Sequence, residues 1–259
     1  MSGAPSLAQR FAARSDGAKL LIPYLMAGAE DSWLESIEAV IEAGADAVEV
    51  GLPFSDPIID GPTIEDAGNR SLARGTTAHD VLAALGTRSW GAPLVVMTYY
   101  NVIAHMGHER FAGMATDAGV SGAIIPDLSL EEIGPWAETA DDRGIATVML
   151  VAPSTSPERT VRICDRSRGF VYAVARMGVT GERAEIGDEA SAVVDKVAAA
   201  TSLPACVGIG VSNAEQARQV SRVADGVVVG SALVRRLAEG AGPEGAAAFV
   251  ASLRQAIDA

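Results

Sequence analysis

The chain has 259 residues, of which 49% are hydrophobic and 20% charged, a balance that is typical of a globular protein and excludes a disordered chain. Its 20 basic and 33 acidic residues give a formal net charge of −13, so neither a nucleic-acid partner nor an anionic membrane surface is expected. The apolar runs are too short for a membrane-spanning helix, and the charged N-terminal stretch does not resemble a signal peptide. Cys164 and Cys206 are too few for a disulfide framework and are expected to be free thiols in a reducing cytoplasm.

Short apolar runs alternate with amphipathic stretches along the chain, after an N-terminal helix predicted near Ser6–Arg14. The eight runs predicted as strands are Leu20–Met26, Asp46–Leu52, Pro93–Tyr99, Ser121–Pro126, Ile145–Val151, Gly169–Ala175, Pro204–Gly208 and Asp225–Gly230. The predicted helices between and after them are Ser32–Ala43, Ala78–Arg88, His108–Ala118, Leu130–Asp142, Pro157–Ser167, Ala190–Ala200, Asn213–Val223 and Gly245–Ile257. Because the strands are continuous apolar runs, they are expected to be covered on both faces, as in a parallel sheet.

Eight strand–helix units in a chain of about 250 residues predict an α/β protein with one (β/α)8 TIM barrel, a single domain over residues 1–259 with an extra N-terminal helix. An open, doubly wound sheet of eight strands is the alternative. In a barrel, the functional site is built from the loops that follow the strands. Two of these loops, Pro53–Thr63 and Arg176–Glu189, are long, and long loops inside compact domains are often functional.

Three glycine-rich turns follow predicted strands, at Gly178–Gly181, Gly208–Ser212 and Gly230-Ser231. Glycine lets backbone N–H groups approach an anion, and a helix that begins directly afterwards points its positive end at the same place. The turns after strands seven and eight of a barrel commonly hold a phosphate, and a short extra helix at Ser231–Arg235 fits that arrangement. The alternative is that these glycines only make tight turns. A dinucleotide fingerprint is not predicted, because its third glycine is missing.

The second predicted strand and the loop after it carry a candidate catalytic pair, Glu49 and Asp60. With a period of two, Ala47, Glu49 and Gly51 face the barrel interior, and the small neighbours leave room beside the carboxyl group. A carboxyl group in apolar surroundings has a raised pKa, which suits a proton shuttle. The alternatives are a structural glutamate paired with an arginine and an aspartate that only forms an Asp-Gly turn.

The few lysines and histidines limit the chemistry that the barrel can perform. Lys19 precedes the first strand and Lys196 lies in a helix, so neither is placed for a Schiff base. His105 and His108 lie near each other, but only Glu109 is at hand as a third ligand, so no metal site is predicted. The residues therefore favour proton transfer by carboxylates on a phosphorylated small molecule.

From about Leu7 to the C-terminus, the sequence resembles the tryptophan synthase alpha chain family, most specifically over Val48–Thr63. The other matching blocks are Ile22–Gly28, Met97–Asn101, Ile124–Leu128, Glu131-Glu132, Val151–Pro153, Gly178–Gly181, Gly208–Ser212 and Gly230-Ser231. The sequence departs from the family pattern at Ser129, where many relatives have proline, and at Ile58-Ile59, where Leu-Ala is commoner. These departures touch the region near the site and the partner interface, but they leave the acidic groups in place.

The resemblance implies cleavage of indole-3-glycerol phosphate to indole and glyceraldehyde 3-phosphate, with no cofactor and no metal in this chain. By position, Glu49 matches the family's catalytic acid and base, and Asp60 matches its second catalytic carboxylate. The positions that match substrate-binding and phosphate-binding residues are Tyr99, Tyr172, Thr180, Gly181, Gly210, Gly230 and Ser231.

The resemblance also implies a partner, a β chain that carries pyridoxal phosphate and receives indole through a tunnel in a cytoplasmic α2β2 heterotetramer. The Pro53–Thr63 loop and the region of Asn101 would face that β chain. Independently of the resemblance, the glycines and charged residues of Arg176–Glu189 predict a mobile loop, for which a closing lid is the hypothesis. Two alternatives are a stand-alone lyase that releases free indole and a non-catalytic protein that binds the ligand and regulates another enzyme. Retention of both Glu49 and Asp60 argues against the non-catalytic alternative.

Overall fold

Eight parallel strands close into a barrel in sequence order, with the last strand paired to the first. The computed structural model describes residues 6–13, 17–175, 188–208 and 210–259. The strands are β1 (Leu20–Met26), β2 (Val48–Gly51), β3 (Leu94–Met97), β4 (Val120–Ile124), β5 (Ala146–Val151), β6 (Val171–Val174), β7 (Ala205–Gly208) and β8 (Gly226–Val229). The prediction of a TIM barrel is therefore confirmed, and the open sheet is excluded.

Helices follow the strands around the outside of the barrel. They are α1 (Leu7–Ala12), α2 (Trp33–Glu42), α3 (Pro62–Ala73), α4 (Ala78–Leu85), α5 (Tyr100–Met106), α6 (His108–Asp117), α7 (Gly134–Asp142), α8 (Pro157–Arg166), α9 (Asp188–Ala198), α10 (Ala214–Ser221), α11 (Ser231–Ala238) and α12 (Gly242–Asp258). Every helix predicted from the sequence is present with slightly different ends, whereas α3 and α5 were not predicted. In the part of the chain that the structure describes, no helix is both long and apolar enough to cross a bilayer.

Side chains on the strands alternate between two cores. Val48 and Val50 of β2 point outward into the core between strands and helices, whereas Ala47 belongs to the core inside the barrel. This alternation places Glu49 on the inward side, as the period of two predicted.

Helix α1 closes the N-terminal end of the barrel. Its start is fixed by a capping box in which the Ser6 hydroxyl accepts from the Gln9 amide and the Gln9 side chain accepts from the Ser6 amide. Leu7 is buried in the inner core with Phe170, and Phe11 packs against the same ring at 6.1 Å between centroids. The inner core is thus filled from this end, and the space left inside the barrel lies at the opposite end.

Candidate active site

A cavity of about 540 Å³ opens at the C-terminal ends of the strands, and all eight strands contribute to its wall. The strand residues that line it are Tyr24, Glu49, Met97, Ile124, Leu150, Tyr172, Val174, Gly208 and Val228. The loop and helix residues that complete it are Ile59, Asp60, Gly61, Ile64, Pro126, Ala152, Gly210, Gly230 and Ser231. The cavity therefore brings together six of the residues singled out in the sequence, while Thr180 and Gly181 lie outside the described residues.

Glu49 is buried in the floor of this cavity. Its side chain points inward from β2, between Tyr24 of β1 and Val95 of β3 in the strand register, and the residue is 1% exposed. Burial raises the pKa of Glu49 to about 8, and the nearby Asp60 adds to that rise. Among the described residues, Oε2 of Glu49 has no hydrogen-bond partner and no arginine pairs with the carboxyl group, so the alternative of a structural ion pair finds no support.

Asp60 lies at the end of the loop between β2 and α3 and lines the same cavity. Burial raises its pKa above the ordinary value for aspartate, although a hydrogen bond from Tyr99 lowers it in part, and Glu65 adds a smaller rise. Asp60 is only half-buried, whereas Glu49 is enclosed. The two carboxyl groups therefore lie in different surroundings within one cavity, which is how enzymes separate an acid from a carboxylate.

Tyr99 holds the loop that carries Asp60. Its hydroxyl accepts a hydrogen bond of 3.2 Å from the Ile59 amide, and its ring stacks on Phe54 with centroids 5.0 Å apart. Both contacts are to the segment between β2 and α3. The sequence predicted Tyr99 near the substrate, and the structure places it beside the wall of the cavity, in contact with the loop.

The glycines after β7 and β8 line the same cavity as the two carboxyl groups. Helix α11 begins at Ser231, and the Leu233 and Val234 amides bond to the Gly230 carbonyl, which leaves the amides before them outside the helical pattern. Gly210 has a φ of +81°, a left-handed conformation that favours glycine. These backbone groups and the Ser231 hydroxyl make this part of the wall suited to an anion.

Two inward tyrosine rings each cover a glycine of the neighbouring strand, Gly51 on β2 and Gly208 on β7. A β-carbon at Gly51 would collide with the hydroxyl of Tyr24, and one at Gly208 would collide with the hydroxyl of Tyr172. Burial raises the pKa of both phenols well above the ordinary value for tyrosine, and nearby carboxyl groups raise each of them further. Sequence reasoning missed Tyr24, which reads as a strand core residue, although the period of two already placed it on the inward side of β1.

The lysines and histidines lie away from the cavity. Lys19 donates to the Ala224 carbonyl at the N-terminal end of the barrel, and Lys196 donates to the Pro153 carbonyl from α9. The ring of His108 lies 3.0 Å from the Tyr100 hydroxyl. Over the described ranges, no group of three His, Cys, Asp or Glu side chains is arranged to hold a metal ion. The absence of a metal from this chain remains a prediction.

The family model and the similar relatives all belong to one family. The family model for the tryptophan synthase alpha chain matches residues 11–257. The alpha chain of Streptomyces coelicolor is 44% identical over 254 residues, which are 95% of this chain and 94% of the relative. The alpha chain of Synechocystis is 43% identical over 249 residues, 94% of each chain.

Solved structures agree with the sequence relatives. A chain in a structure of Mycobacterium tuberculosis tryptophan synthase superposes with a TM-score of 0.89 at 39% identity and 98% coverage of both chains. A tryptophan synthase alpha chain from Legionella pneumophila superposes with a TM-score of 0.87 at 31% identity and 97% coverage of both chains.

The fold and the cavity together define a TIM-barrel enzyme in which two carboxyl groups and the start of α11 line one cavity. The chain belongs to the tryptophan synthase alpha chain family, the lyase component of that enzyme in tryptophan biosynthesis.

Proposed function

We propose that this chain, as one domain, cleaves indole-3-glycerol phosphate to indole and glyceraldehyde 3-phosphate with Glu49 and Asp60 as its catalytic residues. One observation carries the proposal: a buried carboxyl group with a pKa of about 8 shares a cavity with a half-buried second carboxyl group and with the start of α11. At neutral pH such a group keeps its proton and is able to act as a general acid.

The reaction needs a place for the electrons of the breaking carbon–carbon bond. Glu49 donates its proton to C3 of the indole, which turns the ring into an iminium cation. The ionised Asp60 stabilises that cation at the ring N–H. The Glu49 carboxylate then takes the proton of the glycerol hydroxyl next to the bond. The bond breaks, its electrons return to the indole ring, and an aldehyde forms, which leaves Glu49 protonated for the next cycle.

The phosphate holds the other end of the substrate. Among the described residues that line the cavity, none is lysine or arginine, so backbone amides and the positive end of α11 supply the attraction. We place the phosphate at Gly210, Gly230 and Ser231. By the family resemblance, Gly181 is expected to be a further phosphate residue and Thr180 to lie near the substrate, and both are outside the described residues. Tyr172 lines the same cavity. Binding at the phosphate fixes the reacting bond against Glu49, and this positioning lowers the barrier.

The rate of cleavage is expected to have a bell-shaped pH profile. Activity rises with pH as Asp60 loses its proton, because the ionised form is the one that stabilises the cation. Activity falls above a pH of about 8, because Glu49 then loses the proton that it must donate. The measurement is kcat/KM from pH 5 to 10. A rate that keeps rising through pH 9.5 would contradict the role of Glu49 as an acid.

Gly230→Val is expected to weaken phosphate binding about tenfold or more, because a branched side chain would crowd the backbone at the proposed phosphate site, beside the Tyr24 side chain, and would remove hydrogen bonds to the charged phosphate. Calorimetric titration with glycerol 3-phosphate measures the effect. Gly134→Val is the matched control, because Gly134 also begins a helix and a side chain there would enter open space. Equal affinity of both variants would place the anion elsewhere.

We also propose a β-chain partner in a cytoplasmic α2β2 enzyme, with pyridoxal phosphate on the β chain and none on this chain. Two large apolar side chains support this, because Ile58 is 76% exposed and Ile59 is 49% exposed on the loop that carries Asp60. Exposed apolar groups clustered on one loop mark an interaction surface. The same loop would therefore contact the partner and carry a catalytic carboxylate.

An indole-release assay on the purified chain, with and without a tryptophan synthase β chain, tests the function. Release of indole that increases strongly when the β chain is added is the expected result. Equal rates in both samples would favour the stand-alone lyase. No release in either sample would favour the non-catalytic alternative.

A further inference from the structure

Among the described residues, no cation is placed to stabilise the Glu49 carboxylate. In the mechanism above, which this inference extends, Glu49 becomes ionised after it gives its proton away. A buried carboxylate without a donor or a cation is costly. The described lining of the cavity contains no lysine or arginine, and Oε2 of Glu49 has no partner among the described residues.

Tyr24 is the nearest inward neighbour of Glu49 on β1. The two residues are register partners on adjacent parallel strands, which lie about 4.8 Å apart, and their side chains point to the same side. The ring of Tyr24 lies across Gly51, the next inward position of β2, so its hydroxyl is held beside the strand that carries Glu49. Tyr24 lines the cavity with both carboxyl groups and is 6% exposed.

We propose that Tyr24 is a positioning residue whose hydroxyl donates a hydrogen bond to the Glu49 carboxylate during turnover. Within the described residues no hydrogen bond joins Tyr24 to either carboxyl group, so the proposal requires the Glu49 side chain to rotate until its unpartnered oxygen meets the phenol. Catalytic hydrogen bonds are commonly long before substrate binds. The Tyr24 hydroxyl stabilises the ionised form of Glu49 and makes no bond that would hold back the proton of its neutral form.

The titratable groups that face this pair come from several strands and loops. Asp60 of the loop after β2 and the phenol of Tyr172 on β6 interact electrostatically with Glu49 or Tyr24, and Tyr99 after β3 interacts with Tyr24. All of them remain in a Tyr24→Phe variant. A change in the pH profile of that variant therefore reports the lost hydroxyl alone.

Tyr24→Phe keeps the ring over Gly51 and removes only the donor. The expected result is a kcat about tenfold lower with a KM changed by less than about twofold. The hydrogen bond stabilises the carboxylate that forms during turnover, so its loss slows the reaction more than it weakens substrate binding. The alkaline limb of the pH profile should also move upward by about one pH unit, because loss of the donor destabilises the carboxylate. Unchanged kcat and an unchanged limb would overturn the inference.

Tyr100→Phe is the matched control, because its hydroxyl contacts His108 on the outer side of the barrel. Its kcat and alkaline limb, measured on the chain without a β chain, should equal those of the unaltered protein; a loss equal to that of Tyr24→Phe would overturn the inference.

A double variant separates this inference from the proposed function. When Tyr24→Phe is added to Glu49→Gln, the residual turnover should not change, since no carboxylate is left to stabilise. A further tenfold loss would overturn the role of Tyr24 through Glu49. Full turnover by Glu49→Gln alone would overturn both proposals, whereas an inactive Glu49→Gln beside an unaffected Tyr24→Phe would overturn only this one.

Discussion

Glu49→Gln is expected to reduce the cleavage of indole-3-glycerol phosphate by at least about a thousand-fold while substrate binding persists. The amide has nearly the same shape as the carboxyl group, so the wall of the cavity is preserved. It has no acidic proton for indole C3 and cannot accept the proton of the glycerol hydroxyl. Single-turnover release of indole measures the loss, and calorimetric titration measures the binding.

The outcome for binding is as informative as the outcome for the rate. The unaltered protein keeps Glu49 protonated at neutral pH because of burial, so the neutral glutamine changes the charge of the cavity little. Affinity for glycerol 3-phosphate should therefore stay within about twofold, because Glu49 is not among the residues proposed to bind the phosphate. Turnover within tenfold of the unaltered rate would show that another group moves the proton.

Ile58→Asp is expected to abolish stimulation by the β chain, with affinity for that chain reduced about a hundred-fold or more. A charge placed at the centre of an apolar contact loses the burial of the isoleucine and must also give up its own hydration. Because Ile58 points away from the protein, with 76% of its surface exposed, the fold and the basal cleavage by the isolated chain should be retained. Analytical ultracentrifugation and the indole-release assay measure the two effects.

Val161→Asp is the matched control for this experiment. Val161 is also an exposed apolar residue, at 46%, but it lies on α8, away from the loop that carries Asp60. This variant should bind and respond to the β chain as the unaltered protein does. If both variants bind the β chain equally well, the Pro53–Thr63 loop is not the contact surface.

Most of the fold could be predicted because the strands are unbroken apolar runs, but α3 could not. The buried face of α3 consists of Ile64, Ala67, Gly68 and Ser71, which follow helical spacing but are mostly small or polar. Hydrophobic periodicity therefore gives a weak signal there, although the packing needs small side chains. Helix α5 was missed because it has only seven residues and continues almost directly into α6 across Gly107.

The position of the carboxyl groups and of the glycine turns around one cavity could be predicted from the ends of the strands. Tyr24 could not, because its place beside Glu49 depends on the pairing of β1 with β2 and on the room that Gly51 leaves. The pKa of Glu49 could be predicted in direction only, since its size depends on how completely the barrel encloses the group. Contacts between side chains on neighbouring strands could not be predicted, because the sequence pattern does not give the register of the strands.

The pairing of Tyr24 with Gly51 and of Tyr172 with Gly208 restricts the order in which mutations are able to accumulate. A larger residue at either glycine meets the far end of the tyrosine side chain and requires that ring to move, whereas shortening the tyrosine first opens a space that the glycine position is then free to fill. Divergence of this pocket, in nature or in directed evolution toward other substrates, should therefore begin more often at positions 24 and 172, and libraries that vary the glycines alone should yield fewer folded members than libraries that vary both positions of a pair.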